Sequence, residues 1–159
     1  MAVRDRIESA NESFASTFDG GELPMPPGRA FAVVTCMDAR LDPARFLGLE
    51  LGDAHVIRNA GGVVSDDALR SLVISHHLLG TQEAVVIGHT DCGMLTFAND
   101  DLRAKLGPDA DGVDFLPFPD VAARVRESVE TIRGSSLLPD SFGATGYVYD
   151  VKTGRLESV

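Results

Sequence analysis

The alternation of apolar and polar positions divides the chain into short blocks, and three of these blocks read as strands. AHVIR at 54–58 is one of them, while AFAVVT at 30–35 and EAVVIG at 83–88 carry too few polar residues for one-sided exposure. These last two therefore read as strands covered on both faces. Between them the spacing changes to helical. Residues 3–18 form a mostly polar helix with Ile7, Ala10, Phe14 and Phe18 in a narrow stripe. Pro43 is placed to start a short helix, PARFLGL. Ser65, Asp66 and Asp67 open a longer helix that runs to about Leu79 and stops at Gly80, a capping side chain and two acids standing at the positive end of its dipole. A short helix near 95–106, a loop rich in Gly, Pro and Asp at 107–118, and a helix near 120–133 follow. GYVYDVKTGRLESV closes the chain as a hairpin turning at Lys152-Thr153-Gly154-Arg155.

Strands alternating with helices predict an α/β fold, a parallel-core sheet flanked by helices with a C-terminal hairpin. No repeat, low-complexity tract or long linker divides the chain, so residues 1–159 read as one domain. A chain of this length buries roughly 68–70% of its unfolded surface. Composition narrows the partners. Fourteen basic residues against 24 acidic ones leave a formal net charge of −10, which repels phosphate backbones and anionic lipid surfaces. Neither nucleic acid nor membrane is expected as a partner. No run approaches the roughly 18 apolar residues of a membrane span, and MAVRDRIESANESF lacks the apolar core of a signal peptide, so a cytoplasmic location is expected. There two cysteines are reactive or metal-bound thiols rather than a disulfide framework.

Ligands in parallel sheets bind beyond the carboxyl ends of the strands, where strand order reverses. The first and third strands both end in chemistry: Cys36 begins CMDAR and His89 begins HTDCG. If the two strands are neighbours, Cys36, His89 and Cys92 meet. Two thiolates and an imidazole suit zinc, which bonds sulfur at about 2.3 Å and nitrogen at about 2.0–2.1 Å. Three protein ligands with a fourth position open describe a catalytic zinc, four a structural one. Taken singly, each cysteine would read as an inert buried thiol, and the absence of C-x-x-C spacing counts against a redox pair. His55, His76 and His77 read as structural or surface histidines, and Thr90 and Asp91 as hydrogen-bonding residues between ligands. Arg58, Asn59 and Gly61 read as shaping the turn over the site, and the acidic stretch 109–114 as solvated.

C-x-D-x-R after a first strand, RNAG after the second and H-x-x-C-G after the third, in that order over about residues 30–98, resemble the β-class carbonic anhydrases. The resemblance implies zinc held by Cys36, His89 and Cys92 and a catalytic dyad of Asp38 and Arg40. The implied activity is reversible hydration of CO2 to bicarbonate and a proton by a zinc-bound hydroxide. Asp38 would accept a hydrogen bond from the nucleophile, and Arg40 would restrain it through a bidentate pair. If Asp38 swings onto the metal instead, it becomes a fourth ligand and the site closes. The open form is expected at mildly alkaline pH. The resemblance also implies a homodimer or higher homo-oligomer, with the N-terminal helix 1–18 packed on a partner. With no tryptophan in the chain, a regulatory bicarbonate pocket built around one is not expected. Alternatives are hydrolysis of carbon disulfide or carbonyl sulfide on the same scaffold, and a non-catalytic zinc site closed by Asp38.

Overall fold

The computed structural model describes residues 2–159. Five strands, β1 (Phe31–Cys36), β2 (Ala54–Asn59), β3 (Glu83–His89), β4 (Gly143–Tyr149) and β5 (Leu156–Ser158), form one sheet in the order β2-β1-β3-β4-β5. β1 pairs in parallel with β2 and β3, β3 with β4, and only β5 runs antiparallel. The expected α/β class holds. From β1 the chain crosses to β2 on one side while β3 lies on the other, so strand order reverses between β1 and β3. Cys36 and His89 end those two strands.

Among the described residues five α-helices accompany the sheet: α1 (Val3–Ala15), α2 (Pro43–Leu47), α3 (Asp66–Leu79), α4 (Asn99–Leu106) and α5 (Val121–Arg133). α3 starts as its sequence requires, with the Ser65 side chain accepting from Ala68 N, and Gly80 ends it in the left-handed conformation. Its inward stripe of Ala68, Leu72 and Ser75 packs on the sheet. Leu72 is fully buried among Val34, Val86 and Ile132, a placement that contributes about 2 kcal/mol by area. α5 approaches β3 and β4 so closely that a Cβ at Gly88 would stand 2.6 Å from Val121 Cγ1, and one at Gly146 would stand 2.7 Å from Val125 Cγ1. A second apolar cluster of Leu41, Val63, Met94 and Phe118 surrounds Cys36 and Cys92 at the carboxyl edge of the sheet.

Four boundaries differ from the sequence reading, the first being α2, which ends at Leu47 where Gly48 turns left-handed instead of running through PARFLGL. The N-terminal helix stops at Ala15, where the Ser16 hydroxyl donates to the Ser13 carbonyl. The segment read as a helix over 95–106 is a 3-10 turn at Gly93–Leu95 followed by α4, separated where Thr96 folds back on the Gly93 carbonyl. The C-terminal hairpin is present, but its first strand begins at Gly143 and is parallel to β3, so it extends the core sheet.

Candidate metal centre

β1 and β3 run side by side in register from Phe31 opposite Glu83 to Thr35 opposite Ile87, so the residues that follow them leave the sheet at the same edge. Thr35, fully buried, fastens the pair by donating to the Ile87 carbonyl at 2.9 Å. The outcome is a convergence: the ligand atoms of Cys36, His89 and Cys92 all lie within 4.8 Å of one another, and all three residues are buried. They are the one such group among the described residues.

The donor set fits a metal ion. His89 Nδ1 donates to the Thr90 carbonyl at 2.9 Å, which fixes the tautomer and leaves Nε2 as a lone-pair nitrogen. That Nε2 is buried and has no hydrogen-bond partner among the described residues. An orphaned buried acceptor costs about 1–3 kcal/mol unless something occupies it, and a cation bound between two thiolates would. Thr90 is itself held, its N–H donating to the Tyr149 carbonyl and its Oγ1 accepting from Val151 N, so the end of β4 sets the pitch of the imidazole. Burial raises the Cys36 thiol, but the adjoining His89 and the N–H groups of Asp38 and Gly61 outweigh it and bring the pKa down to about 7. Cys92 goes the other way, pushed up mainly by burial and further by Cys36. Cys36 is therefore the thiol that ionises first.

Asp38 stands beside this cluster, its Oδ2 3.8 Å from His89 Nε2. It is turned toward Arg40, which grips it with Nε on Oδ1 at 3.0 Å and Nη2 on Oδ2 at 2.7 Å, while Arg40 N donates to Oδ1 at 2.9 Å. These hydrogen bonds hold the Asp38 carboxyl well below the usual carboxylate range. It is ionised at any pH near neutrality.

Arg58 does more than shape a turn. Its Nε donates to the Cys36 carbonyl and its Nη2 to the Asp38 carbonyl, so one side chain from β2 holds the backbone on both sides of Met37. Asn59 closes the neighbouring turn through Nδ2 to the Val63 carbonyl and Oδ1 from Val63 N. Beyond the cluster lies a cavity of about 160 Å³ lined by Cys36, Met37, Ala60, Gly61, Cys92 and Met94. Phe118 packs behind Gly61, and nothing in the sequence reading marked that ring except the apolar run FLPFP inside a loop otherwise rich in Gly and Asp. The three remaining histidines are structural: His55 bonds Ser75 Oγ, His76 the Thr81 carbonyl and His77 the Leu137 carbonyl.

The carbonic anhydrase family profile matches residues 31–113, the span that contains Cys36, Asp38, Arg40, His89 and Cys92. Beta-carbonic anhydrase 1 of Mycobacterium tuberculosis is 47% identical, over 100% of this chain and 99% of its own. The chain belongs to the β-carbonic anhydrase family. The crystal structure of the carbonic anhydrase from Streptococcus mutans superposes with a TM-score of 0.93 at 47% identity, covering 100% of this chain and 98% of that one. A carbon disulfide hydrolase of Acidianus sp. is more distant, 34% identical over 83% of this chain and 78% of its own. Family membership thus accounts for the order of the three motifs, and the carbon disulfide hydrolases are a related branch.

Proposed function

We propose that this family member interconverts CO2 and bicarbonate at a zinc ion held by Cys36, His89 and Cys92, with Asp38 and Arg40 as the catalytic dyad. The observation that carries the reading is the buried convergence of two sulfurs and the unpartnered His89 Nε2 beside a carboxylate turned toward arginine. Zinc, when bound, is a Lewis acid that brings the pKa of a coordinated water from 15.7 to about 7. The chain supplies the rest. The cysteines and histidine leave no fourth protein ligand while Asp38 remains on Arg40. Asp38, held ionised by Arg40, would accept a hydrogen bond from the nucleophile and so orient it toward the substrate carbon. The small cavity lined by Met37, Gly61 and Met94 has room for a small linear molecule.

Stopped-flow CO2 hydration on zinc-loaded protein from about pH 6.5 to 9 tests this, with metal-free protein as the blank. Turnover is expected to rise with pH, because the nucleophile is deprotonated water. Asp38 contributes nothing to that rise, since its folded-state pKa is depressed and it stays charged throughout the range. No turnover at any pH with one zinc per chain would refute the activity, and faster turnover of carbon disulfide than of CO2 would move the chain to the sulfur-substrate branch.

The N-terminal helix supports a homodimer. α1 has no buried residue, and Val3, Ile7 and Phe14 are 72%, 63% and 59% exposed, with the Phe18 ring tilted against Phe14 at a centroid distance of 5.3 Å. An apolar stripe left without a surface inside its own chain fits a groove on a second copy. Sedimentation velocity is expected to give at least a dimer, and removal of residues 2–18 to reduce it; a monomeric full chain would overturn this. Among the described residues no helix is long and apolar enough to cross a membrane, and paired thiol ligands are kept reduced in the cytoplasm, which is the location we assign.

A further inference from the structure

We infer that Asp91 is a positioning residue that fixes the Arg40 guanidinium and, through it, keeps Asp38 off the metal. The inference rests on the reading of Asp38 and Arg40 as a dyad and concerns how that dyad is held. Arg40 has five N–H bonds in a rigid fork, and a fork held on one side only can rotate with its carboxylate. Here it is held on both sides. Nη1 donates to Asp91 Oδ2 at 2.7 Å and Nη2 to the Asp91 carbonyl at 2.9 Å, while Nε and Nη2 face Asp38.

One residue presents both acceptors because its backbone is left-handed, with φ at 56°. That conformation is uncommon outside glycine, and Asp and Asn tolerate it best. It occurs between the two ligands His89 and Cys92, so the loop that carries the metal site also carries the anchor for the arginine. Asp91 has a side chain 73% exposed and Arg40 one 46% exposed, and a lone surface pair of that kind contributes little. What the pair contributes is direction: with Asp91 in place, four of the five guanidinium N–H bonds are satisfied in the orientation that holds Asp38 away from the ligand cluster.

The variants that isolate the side chain are Asp91→Gly, which keeps the left-handed backbone and removes the carboxylate, and Asp91→Asn, which keeps both the backbone preference and one acceptor. Each is loaded with cobalt(II) as a visible probe, metal content is equalised, and azide is titrated while kcat/KM is measured in parallel on zinc protein. With Asp91→Gly, kcat/KM is expected to fall about fivefold to tenfold and the azide dissociation constant to rise by a similar factor, because Asp38 competes for the same position. Asp91→Asn is expected to restore most of both. In an Arg40→Ala background, itself expected to lose at least tenfold, Asp91→Gly is expected to add nothing further.

Unchanged azide affinity in Asp91→Gly, or an additive loss in the Arg40→Ala background, overturns the inference. Full kcat/KM in Arg40→Ala alone overturns the dyad reading instead, so the two failures are distinguishable.

Discussion

Cys36→Ser is expected to bind zinc more than a hundredfold more weakly and to lose CO2 hydration with it, while folding normally. The factor follows from a bound: losing a hydrogen-bonding partner behind a metal ligand costs about 10–100-fold in affinity, and losing the ligand itself costs more. A serine hydroxyl does not ionise near neutral pH, whereas the Cys36 thiol is brought down to about 7 by His89 and the Asp38 and Gly61 N–H groups acting against its burial. Those same N–H groups explain why the fold should survive. They face the sulfur from the backbone and can donate to a hydroxyl oxygen, so the substitution creates no unsatisfied buried group. Serine is also nearly isosteric with cysteine, and the apolar cluster of Leu41, Val63 and Met94 keeps its shape. The check is metal content after desalting, a competitive chelator titration, and thermal melting of the metal-free forms of both proteins. A fully loaded Cys36→Ser would remove Cys36 from the ligand set.

β1 and β3 and the polar residues that terminate them were legible because a doubly covered strand leaves an unmistakable apolar run, and a change to Cys or His at its end is equally plain; β2 is only half covered and was legible from its position between turns. What escaped the sequence has identifiable physical causes. β4 begins at Gly143, yet Gly143-Ala144-Thr145-Gly146 carries no apolar signal, because α5 lies so close that Gly146 has no room for a Cβ. The strand is written in small residues where packing demands them, and propensity reads that as loop. The pairing of Arg40 with Asp91 spans 51 positions and depends on one left-handed residue, neither of which leaves a periodic trace. Arg58 sat within the RNAG motif, but its two acceptors are backbone carbonyls of Cys36 and Asp38, which are invisible in any residue pattern. Sequence thus located the chemistry, and the structure supplied the side chains that hold it in place.

Gly62→Ala is expected to destabilise the protein by about 3 kcal/mol or more and to distort the metal site from behind. Two separate costs combine. Gly62 has a φ of 65°, a left-handed conformation that costs a residue with a Cβ about 1–2 kcal/mol. A Cβ there would also stand 2.8 Å from Cys36 N and 2.9 Å from Thr35 C, in the strand whose last residue is a proposed ligand. Those are backbone atoms of the central strand, flanked by β2 and β3, and they cannot yield as a side-chain tip would; overpacking of this kind typically costs a further 1–3 kcal/mol. At roughly 2–4 °C per kcal/mol for a chain of this size, the midpoint should fall by about 6–12 °C or more. Gly80→Ala is the matched control, because Gly80 has a φ of 79° with nothing within 4 Å of where an added methyl group would sit. It carries the conformational cost alone and should melt well above Gly62→Ala, with metal affinity unchanged. Equal melting of the two variants would mean that backbone conformation, and not the close approach to Cys36, is what requires glycine at position 62.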